Sequence, residues 1–160
     1  MYAGHFAAGL ALRGRAPRAP LTVILIGVFV LDILWVVFGV LHWETAPDDW
    51  SHSLLMSILW ASLFAAAFRR FGLKACVVIW LAVFSHFALD LLVQGGTLYP
   101  GAPLIKPFIV GGARVFQLAV CVVCLAVYVY DARRASLPAW RTWVVCAIVV
   151  AMNGRFLLRM

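Results

Sequence analysis

Four ionisable side chains lie within stretches of sequence that are otherwise apolar: Asp32, His86, Asp90 and Arg114. Such a group in the hydrocarbon region of a membrane costs roughly 2.5–3.5 kcal/mol, so each one needs a partner or a functional role. His86 and Asp90 are four residues apart, which places them one turn apart on the same face of a helix. This spacing suits two ligands of one metal ion, and it equally suits a carboxylate that orients a histidine.

Two further histidines can reach the same level of the membrane. His52 stands in a Ser-His-Ser sequence at the start of an apolar segment, and His5 lies in a short apolar segment at the N-terminus. Together they give a candidate metal cluster of His5, Asp32, His52, His86 and Asp90. Imidazole and carboxylate ligands suit zinc, iron or manganese, and we expect a divalent metal with zinc as the first choice. The alternative is an intramembrane network in which Asp32, His86, Asp90 and Arg114 satisfy one another.

Arg114 follows two glycines and lies about two turns inside the outer end of its apolar segment. Two roles fit Arg114 at this position. In the first it is a counter-ion to Asp32 or Asp90, and in the second it is a catalytic group that binds the anionic part of a substrate close to the metal. In the second case Gln117, one turn deeper, is a hydrogen-bond partner.

The composition identifies the elements that must position these residues. Of the 160 residues, 66% are apolar and 12% are charged, whereas soluble domains are about 45–50% apolar and about 25% charged. This balance excludes a disordered chain, a disulfide-stapled secreted module and a nucleic-acid-binding domain. It predicts an all-α, polytopic membrane helix bundle that forms a single domain over 1–160, with about five transmembrane helices at 21–43, 51–68, 73–93, 108–130 and 140–158.

The N-terminal segment, residues 1–12, is too short to span a membrane, because it gives at most roughly 18 Å of helix. It is either a short half-helix that carries His5 towards the middle of the membrane or an amphipathic segment on the surface. Composition favours the surface segment. Cys121 and Cys124 have the spacing of a redox or zinc pair, but they lie in an apolar run, and we interpret them as small packing residues.

The distribution of basic residues predicts the orientation. Arginines precede the first span and join the fourth span to the fifth, and two arginines with Lys74 join the second to the third. The opposite connections carry Lys106 and the acids Glu44, Asp48 and Asp49. Basic loops collect on the cytoplasmic side, so we expect a cytoplasmic N-terminal side and an outward-facing cluster.

The residues of the cluster also carry a family resemblance. Gly4-His5, Asp32, Ser51-His52-Ser53-Leu54-Leu55 and Ser85-His86-Phe-Ala-Leu-Asp90 occur in that order. This pattern resembles the bacterial inner-membrane family described as metal-dependent hydrolases of the LexA-binding type, and more remotely zinc-dependent phospholipase C and P1 nuclease. The resemblance implies that His5, Asp32, His52, His86 and Asp90 bind metal. The chain differs from the family at Leu34, where a second aspartate is common.

These observations predict a hydrolase of the bacterial inner membrane that acts from the outer face on a lipid or a lipid-linked ester or phosphoester. In this hypothesis Asp90 or Asp32 accepts a proton from water and Arg114 stabilises the developing anion. The alternative is a non-catalytic membrane subunit with a buried polar network. Membrane lipids are the expected partners, a protein partner in a membrane complex is compatible with either function, and nucleic acid is not expected.

Overall fold

The computed structural model describes residues 2–42, 47–109 and 112–157. Over these ranges the chain is helical, with a 3-10 turn at Arg69–Phe71. The α-helices are α1 (Tyr2–Arg13), α2 (Leu21–Val40), α3 (Pro47–His52), α4 (Leu54–Ala67), α5 (Leu73–Val93), α6 (Ala113–Arg134) and α7 (Ala139–Leu157). The predicted all-α class is confirmed, and α5 has the predicted boundaries.

Three of these helices, α2, α5 and α6, are long and apolar enough to cross a membrane. The apolar helix α4 has 14 residues, a length of about 21 Å that is shorter than the roughly 30 Å of a hydrocarbon core. The apolar part of α7 is also short, at Ala139–Met152. The structure therefore supports a membrane protein with three candidate spans rather than the five that were predicted.

The predicted second span, 51–68, is broken at Ser53, which has an extended backbone at φ −75° and ψ 156°. The break has a local cause in hydrogen bonding. The amides of Leu54 and Leu55 donate to the carbonyls of Thr97 and Leu98, at 2.9 and 3.0 Å. The loop after α5 thus supplies the acceptors that the first turn of a helix lacks, and α4 can begin at Leu54.

The predicted fourth span, 108–130, begins and ends later in the structure. Before it, Gly96 and Ile105 form an antiparallel bridge, and the amide of Ile109 donates to the carbonyl of Leu92. These bonds hold the segment through Ile109 back against the end of α5, so α6 begins only at Ala113. The first span also ends earlier than predicted, at Val40; Trp43 and the predicted end of the last span at 158 lie outside the described residues.

Helix α1 is packed inside the bundle, so the expectation of a surface segment was wrong. Its residues Ala3, Ala7 and Leu10 are buried in one apolar cluster with side chains of α6 and α7, and Cys121 of α6 belongs to this cluster. Small residues make the close packing feasible. A Cβ atom built on Gly9 would lie 2.8 Å from a methyl carbon of Val28 on α2, so only glycine fits there without a shift.

Most of the basic residues in the described ranges lie at one end of the bundle. Arg15 lies 3.8 Å from Asp131 near the end of α6, and Arg18 and Lys74 line a small cleft of about 320 Å³ between the start of α2 and the start of α5. The four cysteines, all within the described residues, form no disulfide. The predicted histidine and aspartate cluster lies away from this end, near the middle of α2 and in the last third of α5.

Candidate metal centre

Four helices bring together the five side chains that the sequence identified as metal ligands. His5 comes from α1, Asp32 from α2, His52 from the end of α3, and His86 and Asp90 from α5. Two groups of three possible ligands form, and in each group the ligand atoms lie within 4.8 Å of one another. One group is His5, His86 and Asp90, and the other is Asp32, His52 and His86.

His86 is the centre of the cluster, and its tautomer follows from its contacts. Its Nδ1 atom lies 2.7 Å from the carbonyl oxygen of Val28. A carbonyl oxygen can only accept, so Nδ1 carries a hydrogen and donates it. In a neutral ring Nε2 then has a lone pair, yet it lies 3.2 Å from Asp90 Oδ2 and 3.5 Å from Asp32 Oδ1. Three acceptor atoms facing one another require a cation between them, either a proton or a metal ion.

Val28 and Asp32 are one turn apart on α2, so the same helix face orients His86 and supplies one of its carboxylate neighbours. On α5, His86 and Asp90 are also one turn apart. Contact between these two faces accounts for much of the cluster, because α2 packs directly against α5.

His52 is oriented by its neighbour Ser51. The Ser51 hydroxyl lies 2.7 Å from His52 Nδ1 and 3.4 Å from the carbonyl of Asp48, to which it donates. The contact with Ser51 engages Nδ1 of His52, so Nε2 is the ring atom that faces the cluster. That Nε2 atom lies 3.5 Å from Asp32 Oδ1. The helix is interrupted at Ser53, between α3 and α4. His52 therefore reaches the cluster from the end of α3, which is not continuous with α4.

His5 is 1% exposed and stacks on the ring of His86, with 4.0 Å between centroids and 10° between planes. Its Nε2 atom lies 3.3 Å from Asp90 Oδ1, but neither ring nitrogen has the geometry of a hydrogen bond to a described residue. Asp90 Oδ1 instead accepts a hydrogen bond of 2.9 Å from Gln94. A buried imidazole without a hydrogen bond is costly unless another group binds it, and a metal ion is such a group.

The geometry fits one metal ion better than two. Ligand bonds of 2.0–2.2 Å place neighbouring ligand atoms roughly 2.8–3.1 Å apart in octahedral sites and roughly 3.3–3.6 Å apart in tetrahedral sites. The separations between the histidine and aspartate atoms, 3.2–3.5 Å, are close to the tetrahedral values. The two groups share His86, and only Nε2 of that ring is free. An ion bound at that atom would lie where the two groups meet, and His5, Asp32, His52 and Asp90 are the candidate ligands around it.

The cluster lies at the base of a cleft of about 700 Å³. His5, Asp32, His52 and His86 line its inner part, and Trp35, Asp48, Asp49 and the loop from Gln94 to Leu104 line the rest. Asp49 holds this loop in place. Its Oδ1 accepts from the hydroxyl of Thr97 at 3.3 Å, and its Oδ2 accepts from the amide of Gly101 at 3.0 Å. Gly101 has φ 81°, a conformation that favours glycine.

The predicted position of Arg114 was wrong. Because α6 begins at Ala113, Arg114 lies in its first turn and is exposed. Asp32 and Asp90 form their ion pairs with histidines, and Arg114 is not among the described residues that line the cleft. Gln117 is buried one turn further along α6.

Sequence reasoning did not find the groups that orient the ligands. Gln94 follows Asp90 by one helical turn, so its spacing was a usable signal, and Ser51 directly precedes His52. The carbonyl of Val28 has no sequence signal, because every residue carries one.

The fold and the site together define the class of this protein, which is a helical membrane protein with a candidate metal centre between its helices. Beyond this class, comparison with known proteins gives no match to a protein-family model, a curated protein or a solved structure.

Proposed function

We propose that the protein is a membrane-embedded, metal-dependent hydrolase that acts on a lipid or a lipid-linked ester or phosphoester. The observation that carries this proposal is the position of His86 Nε2. It faces Asp32 and Asp90 while Nδ1 donates to a backbone carbonyl, an arrangement typical of a metal ligand whose tautomer is fixed. The open cleft above the cluster gives a substrate access to it.

His5, Asp32, His52, His86 and Asp90 would hold a divalent metal, with zinc as the first choice. A metal held there would activate a water molecule as a nucleophile at neutral pH. Asp32 is the better placed carboxylate to accept a proton, because it lines the cleft and its side chain is 30% exposed. Asp90 is 15% exposed and is held by Gln94, which suits a ligand that stays in place. Arg114 has no part in this mechanism.

The proposed location is the bacterial inner membrane, with the basic end of the bundle in the cytoplasm and the cleft on the outer side. This orientation rests on the charge distribution of the loops. In this arrangement α4 and α7 complete a bundle of about five helices across the membrane. The resemblance of the His-Asp pattern to metal-dependent inner-membrane hydrolases supports the same location.

A second candidate is a non-catalytic membrane subunit in which the cluster stabilises helix packing. It is favoured by the fact that a proton on His86 Nε2 would also satisfy the three facing acceptors. In that case His86 is an imidazolium between two carboxylates, and the cluster is a buried ion network.

The experiment that separates these functions is elemental analysis of protein purified in neutral detergent without a chelator. A transition metal close to one equivalent, lost in His52→Ala and retained in the control His42→Asn, supports the hydrolase. His42 is exposed at the end of α2 with φ 48°, which asparagine tolerates. Metal-dependent release of product from a panel of lipid esters and phosphoesters then tests catalysis. Absence of metal even after incubation with zinc, iron and manganese contradicts the proposal.

A further inference from the structure

A second, smaller cleft lies at the basic end of the bundle, away from the metal cluster. Its volume is about 320 Å³, and it lies between the turn that precedes α2 and the start of α5. Arg18 lines it from that turn, and Lys74 lines it from the first turn of α5. No acidic residue is among the described residues that line this cleft, so its charged side chains are both positive.

Arg18 and Lys74 have no counter-charge among the described residues. Arg15, three residues before Arg18, lies 3.8 Å from the carboxylate of Asp131. The ion pairs formed between described residues include neither Arg18 nor Lys74. Both side chains are exposed, so both are available to an anion that enters the cleft.

The backbone under both cations is held by buried neighbours. Arg18 lies in a turn closed by a 3.0 Å hydrogen bond from the amide of Ala19 to the carbonyl of Ala16. Ala16 and Ala19 are buried in one core cluster with Ala75, the residue after Lys74. The two walls of the cleft are therefore part of the packed structure, which lowers the ordering cost of binding a ligand between them.

The place of the cleft in the fold indicates what reaches it. It lies where α2 and α5 begin, and both helices are candidate membrane spans. The ends of spans lie at the level of the lipid head groups. Apolar side chains also line the cleft, among them Phe71 and Leu73, and Leu73 is 82% exposed. Two cations beside apolar surface suit an anion that carries acyl chains better than a free inorganic anion.

We propose that this cleft binds the phosphate group of an anionic phospholipid. The guanidinium of Arg18 can donate two parallel hydrogen bonds to phosphate oxygens, and the ammonium of Lys74 adds a second positive charge. Basic pockets between membrane helices bind lipid head groups in this way. The volume of about 320 Å³ is near the lower end of the roughly 300–1,000 Å³ of small-molecule sites, so it accommodates a head group while the acyl chains stay in the membrane. Such a lipid would join the start of α2 to the start of α5.

The test is native mass spectrometry of the full chain in neutral detergent, titrated with phosphatidylglycerol or with phosphatidylcholine of the same acyl chains. Both lipids carry a phosphate, but only phosphatidylglycerol has a net negative charge. We expect phosphatidylglycerol to bind more tightly. We expect Arg18→Gln and Lys74→Gln each to lower its affinity by about fivefold, the ratio expected for one basic side chain beside an anionic lipid, and to leave phosphatidylcholine unaffected.

The matched control is Arg69→Gln, which removes an exposed positive charge from the turn before α5. Arg69 is not among the described residues that line the cleft, so phosphatidylglycerol affinity should not change. Equal affinity for the two lipids, or the same loss in Arg69→Gln as in Arg18→Gln, overturns the site. Glycerol phosphate, added at the same concentration as the lipid, should not displace it. If it does, the cleft binds a soluble phosphate compound and the lipid assignment is wrong.

Discussion

Replacement of His86 by alanine distinguishes a metal centre from a buried ion network. His86 lies between Asp32 and Asp90 and faces both through one atom, Nε2. In a metal centre the change removes the shared ligand, so bound metal is lost. In an ion network it leaves two carboxylates without their cation.

The two cases predict losses of stability of similar size, so the response to a chelator is what separates them. Breaking a buried ion network costs about 3–5 kcal/mol, and the lower end applies here because Asp32 is 30% exposed. For a chain of this length, 1 kcal/mol corresponds to about 2–4 °C in Tm, so a loss of about 3 kcal/mol predicts a fall of about 6–12 °C. A metal present at 100 times its Kd stabilises the wild type by about 2.7 kcal/mol, which predicts that a chelator lowers Tm by about 5–11 °C.

The assay is thermal unfolding in detergent with and without chelator, alongside metal content. We expect the chelator to lower the Tm of the wild type but not that of His86→Ala, which should melt close to the chelated wild type. His42→Asn is the control for loss of a histidine outside the cluster. If His86→Ala still binds metal and its Tm still falls with chelator, the ligand assignment is refuted. If chelator leaves the Tm of the wild type unchanged, the ion network is favoured.

Three further predictions concern the surroundings of the cluster and the orientation of the chain. Gly9→Leu should displace α1, lower the free energy of unfolding by about 1–3 kcal/mol and weaken metal binding. Its control, Gly39→Leu, adds a side chain in open space and should change neither stability nor metal binding in the same assays. Ser51→Ala should weaken metal affinity by about 10–100-fold, because the imidazole of His52 loses the hydroxyl that orients it. Its control, Ser57→Ala, removes another buried hydroxyl and should leave metal affinity unchanged. Competition with a metal indicator measures the affinity of both variants. A cysteine at Leu73, in a background without the native cysteines, should react with an impermeant reagent only in inverted vesicles, and labelling from the outer side would reverse the proposed orientation.

The accuracy of the helix predictions depended on whether local sequence or distant contacts set the boundary. The ends of α5 were predicted correctly, because Gly72 precedes it and a glycine pair follows it, and both are local signals. The break at Ser53 and the late start of α6 were missed. Both boundaries depend on hydrogen bonds made by the 96–109 loop, to the start of α4 in one case and within the loop and to the end of α5 in the other. These bonds join residues that are distant in sequence, so a local sequence pattern does not predict them.

The sequence by itself determined the helical membrane class and the five residues of the candidate cluster, because a charged or imidazole side chain in an apolar run has few explanations. It also determined which ends of the helices are basic. Only the tertiary structure decided that α1 is buried and brings His5 onto His86, since that depends on close packing at Gly9. It also decided that Arg114 lies away from the cleft and that a backbone carbonyl orients His86. These facts depend on how helices pack in space, and side-chain spacing along one helix does not contain that information.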